Sequence, residues 1–175
     1  MGMEIQILDQ IQGLRDPAGD VFWPMVTRLG NGGHVWILLA VTLLVIPKTR
    51  KSGAVLAVAL CVELLLCNVI LKPMIARTRP FDVNTTVKLL IPGPGGFSFP
   101  SGHTAASFTA VAALFFAGEK KLWKPALILA ALIAFSRLYL YVHYPTDILG
   151  GMAVGVIAGY MGCVIARFCK KLLSS

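Results

Sequence analysis

Residues 124–167 read KPALILAALIAFSRLYLYVHYPTDILGGMAVGVIAGYMGCVIAR, two apolar runs joined by a short stretch carrying Arg137, His143, Pro145 and Asp147. A helix needs roughly 20 largely apolar residues to cross a bilayer, so the segment predicts two spans, residues 124–141 and 146–168. Ionisable groups in hydrocarbon cost a few kcal/mol or more each, which makes the charged junction a functional hypothesis by default. An imidazole, a carboxylate four residues on and a guanidinium six residues before it suit chemistry on an anion.

The rest of the chain has the same character. Of 175 residues, 57% are apolar and only 14% charged, against roughly 25% charged in soluble domains, and the mean hydropathy is +0.76. This composition reads as one all-α integral membrane domain. The net charge of +8 does not imply nucleic acid, because the basic residues fall in short clusters between apolar runs. Cys61, Cys67, Cys163 and Cys169 lack CxxC spacing and read as buried small hydrophobes.

Working back from residue 124, apolar runs predict three further spans at residues 102–118, 53–72 and 30–46. The expected fold is a bundle of five transmembrane helices. Residues 1–29 form a separate segment before the membrane-embedded unit, residues 30–175. Met3, Ile7, Ile11 and Leu14 share a helical stripe, Asp16-Pro17 breaks it, and residues 18–29 mix Asp20 and Arg28 with Phe22, Trp23, Met25 and Val26. Neither piece can span, so an interfacial amphipathic hairpin is expected, a possible sixth element of the bundle, with a soluble-side cap as the alternative.

Lys48, Arg50 and Lys51 follow the first span, Lys120, Lys121 and Lys124 follow the third, and Arg167, Lys170 and Lys171 close the fifth. All three clusters lie on one side, which the positive-inside rule makes cytoplasmic. The connections 73–101 and 142–146, and the N-terminal segment, then face outside, at the plasma membrane.

Those outer connections hold most of the reactive residues: Lys72, Arg77 and Arg79, then Pro100-Ser101-Gly102-His103, then His143 and Asp147. Ser101 is an expected N-cap, leaving backbone N–H groups free beside His103, and a helix N-terminus is a ready anion site. Lys72, Arg79 and Arg137 with those amides would neutralise a phosphoryl group, two histidines would supply a nucleophile and an acid/base, and Asp147 would orient His143.

Lys72-x6-Arg79-Pro80, Pro100-Ser101-Gly102-His103 and Ser136-Arg137-x5-His143-x3-Asp147 together resemble the three-part signature of the type 2 phosphatidic acid phosphatase family, membrane lipid phosphatases related to the vanadium haloperoxidases. The resemblance implies that His143 forms a phosphohistidine and that His103 protonates the leaving oxygen and then activates water. It also implies that Lys72, Arg79, Arg137, Ser101 and Gly102 hold the phosphoryl oxygens, with no metal and no other cofactor. The scaffold resembles bacterial undecaprenyl-diphosphate phosphatases, and the alternative is a phosphatidylglycerophosphate or phosphatidate phosphatase.

Competing readings exist for the separate pieces. His103 alone could be a cap or surface residue, Arg137 alone could snorkel to headgroups, and His103, His143 and Asp147 could hold zinc, although the surrounding cations oppose a dication. A small lipid transporter or scramblase would use the cations but has no use for the histidines. Glu63, mid-span, reads as a protonated, hydrogen-bonded packing residue, with proton handling or substrate positioning as the alternative. The run Gly151, Gly155, Gly159 and Gly162 reads as a close-packing face within the bundle, dimerisation being the alternative.

Overall fold

The structure is a computed structural model that describes residues 2–173, with side chains through residue 169. Helices account for all the regular structure among the described residues. Helix α1 (Met3–Gly13) and helix α2 (Pro17–Leu29) precede a one-turn 3-10 helix, Asn31–Gly33. Next come α3 (His34–Val45) and α4 (Arg50–Glu63), the latter continuing through a π-helical segment, Leu64–Leu71, into α5 (Lys72–Ile75). The short α6 (Pro80–Val83) and a long loop lead to α7 (Gly102–Ala117), α8 (Trp123–Tyr139) and α9 (Pro145–Leu173).

The expected five spans are only partly realised. Arg50–Val83 and Pro145–Cys169 are long and apolar enough to cross a bilayer. The first expected span contains a helix of only 12 residues, about 18 Å at 1.5 Å per residue. It reaches membrane-spanning length only when α2 is added across a 43° bend. The left-handed Gly32 and Gly33 make that bend, because a residue without Cβ adopts positive φ at little cost. Helices α7 and α8, with 16 and 17 residues, fall short of the roughly 20 expected of a straight crossing.

Small residues set the packing. A Cβ on Gly155 would lie 2.7 Å from the Ala105 carbonyl, and one on Gly159 would lie 2.5 Å from the Ala112 Cβ. The glycine run of α9 therefore seats on α7, and Gly162 does the same against Ala59 of α4. This is close packing inside the bundle. The core around it joins Trp36, Leu56, Leu114 and Ile133 from four helices, and the Trp36 indole donates to Ser107 Oγ (3.0 Å) to tie α3 to α7.

The N-terminal helices lie against the bundle. Leu8 and Ile5 of α1 pack on Tyr141 and Tyr144 in a second apolar cluster, and Trp23 of α2 meets Phe135 and Tyr139 of α8. At the opposite end, Arg50, Lys51 and Arg167 border one cavity, and Ser52 Oγ donates to Glu119. The basic clusters after α3 and α7 and at the end of α9 thus share one end, away from the histidines; Lys170 and Lys171 lie outside the residues whose side chains are described. Cys67 and Cys163 are buried as expected, but Cys61 and Cys169 are exposed, because they fall on outward faces of their helices.

Candidate active site

The two helix starts that carry the histidines are adjacent. The backbone N–H of Ser101 donates to the Asp147 carbonyl (3.1 Å), joining the N-terminus of α7 to the first turn of α9. Ser101 caps α7, its Oγ accepting from the Thr104 N–H at 3.4 Å, and Pro145 begins α9, where its missing N–H costs nothing.

The His143–Asp147 pair forms as expected. His143 Nδ1 lies 3.3 Å from Asp147 Oδ2, and the imidazole is 2% exposed. Asp147 is fixed in turn: Oδ2 accepts from Ser98 Oγ and the Tyr144 N–H, and Oδ1 accepts from Arg77 Nη1. A carboxylate saturated with donors assigns the Nδ1–H tautomer, leaving the Nε2 lone pair free. Burial pushes the His143 pKa down to about 4; the Asp147 hydrogen bond opposes this and the charges of Arg137 and Arg79 add to it.

Arg79 faces that lone pair, its Nη1 standing 3.3 Å from His143 Nε2. Besides His143, the guanidinium is held by uncharged carbonyls: Nε donates to Gly96, Nη2 to Gly95 and Phe97, and Nη1 to Val142. The loop 95–97 and the connection after α8 therefore hold one cation without neutralising it, so its charge stays available to an anion. The backbone beside it is constrained. Tyr141 sits at φ +60°, an uncommon conformation for a non-glycine residue that persists when its surroundings over-determine it. Here they do: the ring is fully buried, and its hydroxyl donates to Asp9 Oδ1 and accepts from Asn84 Nδ2.

Arg137 does not snorkel. It is 2% exposed, its Nη1 donates to Thr27 Oγ1 of α2, and its Nε has no partner among the described residues. An unsatisfied buried guanidinium N–H costs several kcal/mol unless something occupies it, which fits a pocket built to receive oxygen atoms.

Lys72, Gly102 and His103 line one cavity of about 340 Å³. Lys72 Nζ donates to Asn68 Oδ1 (2.8 Å), and a Cβ on Gly102 would lie 3.4 Å from both atoms. His103 is half-buried against Gly30, with Nε2 2.9 Å from Asn31 Oδ1. It is neither a cap nor a free surface residue.

The expected residues thus come together, and they are joined by Arg77, to which the sequence assigned no role, and by residues it did not single out. Arg77 pairs with Asp147, Glu4 and Thr146 and lies 3.8 Å over the Tyr144 ring. Ser98 contacts Asp147 and Asn31 contacts His103 directly. Burial alone would raise the Glu4 carboxyl, but hydrogen bonds from the Thr146 hydroxyl and N–H and from Arg77 bring it below the ordinary carboxylate value. Glu63 is buried, as expected, and lines the same cavity; one carboxyl oxygen, Oε1, has no partner among the described residues.

A family model described as the PAP2 superfamily matches residues 52–170. An undecaprenyl-diphosphatase of Sulfolobus acidocaldarius is 34% identical over 70% of the chain, a match spanning 59% of that protein's length. The undecaprenyl-diphosphatase BcrC of Bacillus subtilis is 32% identical over 91% of the chain and 82% of its own. The crystal structure of Aquifex aeolicus LpxE superposes with a TM-score of 0.80 at 30% identity, covering 93% of this chain and 95% of that one.

Proposed function

The chain belongs to the PAP2 superfamily, and from that membership we propose that it hydrolyses a lipid phosphate or diphosphate at the outer membrane face, undecaprenyl diphosphate to undecaprenyl phosphate being the first choice. The observation that carries the reading is His143, its Nδ1 tied to Asp147 and its Nε2 turned to Arg79. In the first step Nε2 donates its lone pair to phosphorus, the bond from phosphorus to the leaving oxygen breaks, and His103 gives that oxygen a proton. In the second step His103 takes a proton from water, whose oxygen attacks the phosphohistidine, releasing phosphate and restoring neutral His143. Lys72, Arg79, Arg137, Ser101 and the Gly102 N–H stabilise the charge that grows on the phosphoryl oxygens.

The lipid preference is supported by the relatives' names, since the groups facing the phosphate read phosphate and not its tail. A phosphatidylglycerophosphate or phosphatidate phosphatase is the second reading on that ground. Residues 1–29 are read as an interfacial segment covering the outer end of the phosphatase unit, residues 30–175. Phosphate release by purified protein across undecaprenyl diphosphate, phosphatidylglycerophosphate and phosphatidate tests the proposal. The expected result is the highest kcat/KM for undecaprenyl diphosphate and none for His143→Ala in any lipid. Turnover retained by His143→Ala would remove the nucleophile assignment and leave a headgroup-binding transporter or scramblase as the better account of the cations.

A further inference from the structure

One carboxylate of α1 closes a ring of contacts that ends on the orienter of His143. Asp147 Oδ1 accepts from Arg77 Nη1 at 2.7 Å, and Nη2 of the same guanidinium donates to Glu4 Oε2. Glu4 Oε1 in turn accepts from the Thr146 hydroxyl (2.7 Å) and the Thr146 backbone N–H (3.1 Å). Thr146 is the second residue of α9. Glu4 therefore satisfies one of the N–H groups that a helix start leaves without an intrahelical partner, from 142 residues away. Tyr144 lies under the flat face of Arg77, but among the described residues only Glu4 holds its Nη2 edge.

The shared guanidinium bears on what Asp147 can do. An arginine fork suits one carboxylate bidentately. With Nη2 on Glu4, Arg77 reaches Asp147 through Nη1 alone, and Asp147 Oδ2 stays with His143, Ser98 and the Tyr144 N–H. Without Glu4, Nη2 is free to turn to Asp147, and the whole charge of Arg77 then faces that carboxylate. His143 becomes positive when Nε2 bonds to phosphorus, and a carboxylate neutralised by Arg77 stabilises that charge less well. The PAP2 superfamily match begins at residue 52, so Glu4 lies outside the residues that carry the family assignment.

We propose that Glu4 is a positioning residue of the phosphatase centre, which holds Arg77 in its one-sided contact with Asp147 and balances its charge, so that Asp147 stays available to His143. The inference rests on the phosphatase reading above. It gives α1 a part in catalysis beyond its packing on the bundle.

The test is a double-variant cycle on purified full chain, read as kcat and KM for phosphate release from the lipid that wild type turns over best. Helix α1 keeps other anchors, with Leu8 and Ile5 in an apolar cluster and Asp9 on the Tyr141 hydroxyl, so Glu4→Ala is expected to fold. It is expected to lower kcat by about tenfold with KM within about twofold, the pattern of an interaction that matters in the transition state. In an Arg77→Ala background the same change costs less than about threefold, because Glu4 then has nothing to act through. Glu4→Gln, which keeps an acceptor for Thr146 and loses the charge, is expected to repeat the pattern with a smaller loss. Gln12→Ala removes another α1 anchor, the bond from Gln12 Nε2 to the Tyr139 carbonyl, and leaves kcat unchanged. Wild-type kcat in Glu4→Ala overturns the proposal, and so does a full loss that persists in the Arg77→Ala background. An equal loss in Gln12→Ala overturns it too, because docking of α1 would then be the cause. Absence of phosphate release by wild type from every lipid instead overturns the phosphatase reading, and this inference with it.

Discussion

The charge state of His143 makes the sharpest demand at the level of single residues. Its pKa is pushed to about 4 by burial, below the ordinary 6.5, so the folded enzyme keeps the Nε2 lone pair where an exposed histidine would be half protonated. The acid limb of kcat/KM, which reports the free enzyme, is therefore expected near pH 4–5 rather than 6.5. Asp147 opposes the depression, so Asp147→Asn should move that limb lower still while kcat drops by roughly 10²-fold or more as the orienting carboxylate is lost. A limb that stays near 6.5 in both proteins would show that another group titrates. The same shift sets a stability trend. Below pH 6.5 the unfolded chain binds a proton that native His143 refuses, so stability falls between 6.5 and about 4, by on the order of 3 kcal/mol at most. Arg77 makes a separate prediction. It holds Asp147 rather than facing the phosphate, so Arg77→Ala should lower kcat with little change in KM. A rise in KM alone would instead make it a phosphate ligand.

At the scale of helices, the packing seams determine what the site residues can do. A valine at Gly155 must find room where the Ala105 carbonyl and the Phe108 Cβ stand 2.7 Å from its Cβ. The backbone of one helix gives way, at a cost of about 1–3 kcal/mol, and a Tm lowered by several degrees in detergent would register it; an unchanged Tm would mean that α7 and α9 do not meet there. Much of this level was legible in the sequence and some was not. The glycine run declared its own packing, and Ser101 and Pro145 declared two helix starts, because small residues, caps and prolines have few other uses at those positions. The three-part motif was equally readable, since lysine, arginine and histidine beside hydrocarbon have few structural roles. The partners of those side chains were hidden by distance: Arg77 lies 70 residues from Asp147, Asn31 lies 72 from His103 and Ser98 lies 49 from Asp147. Each is an ordinary loop residue until the fold closes. The first span was overestimated, because an apolar run does not reveal where a helix starts and the 43° break at Asn31–Gly33 reads in sequence as a simple turn, whereas Pro145–Leu173 outruns the apolar run that predicted it. The π-segment Leu64–Leu71 leaves no compositional trace.

At the scale of the whole molecule, the basic residues of the two ends differ in burial, and the orientation prediction rests on that difference. Arg50, Lys51 and Arg167 gather at one end around an open cavity, whereas Arg79 and Arg137 at the other end are 4% and 2% exposed. Only the first set is free to meet anionic lipid headgroups, so it should dominate the positive-inside preference and leave the phosphate pocket outside. The loop carrying Gly95 gives a clean probe of this. No atom stands within 4 Å of where its Cβ would be, and only its carbonyl contacts Arg79, so Gly95→Cys leaves the site intact. In intact cells that thiol is expected to react with a membrane-impermeant maleimide, while Lys120→Cys at the opposite end reacts only after permeabilisation. Wild type, with Cys61 and Cys169 exposed on helices, supplies the background. Labelling in the reverse pattern would turn the pocket to the cytoplasm, and the enzyme would then act on a lipid phosphate of the inner leaflet rather than on one presented outside.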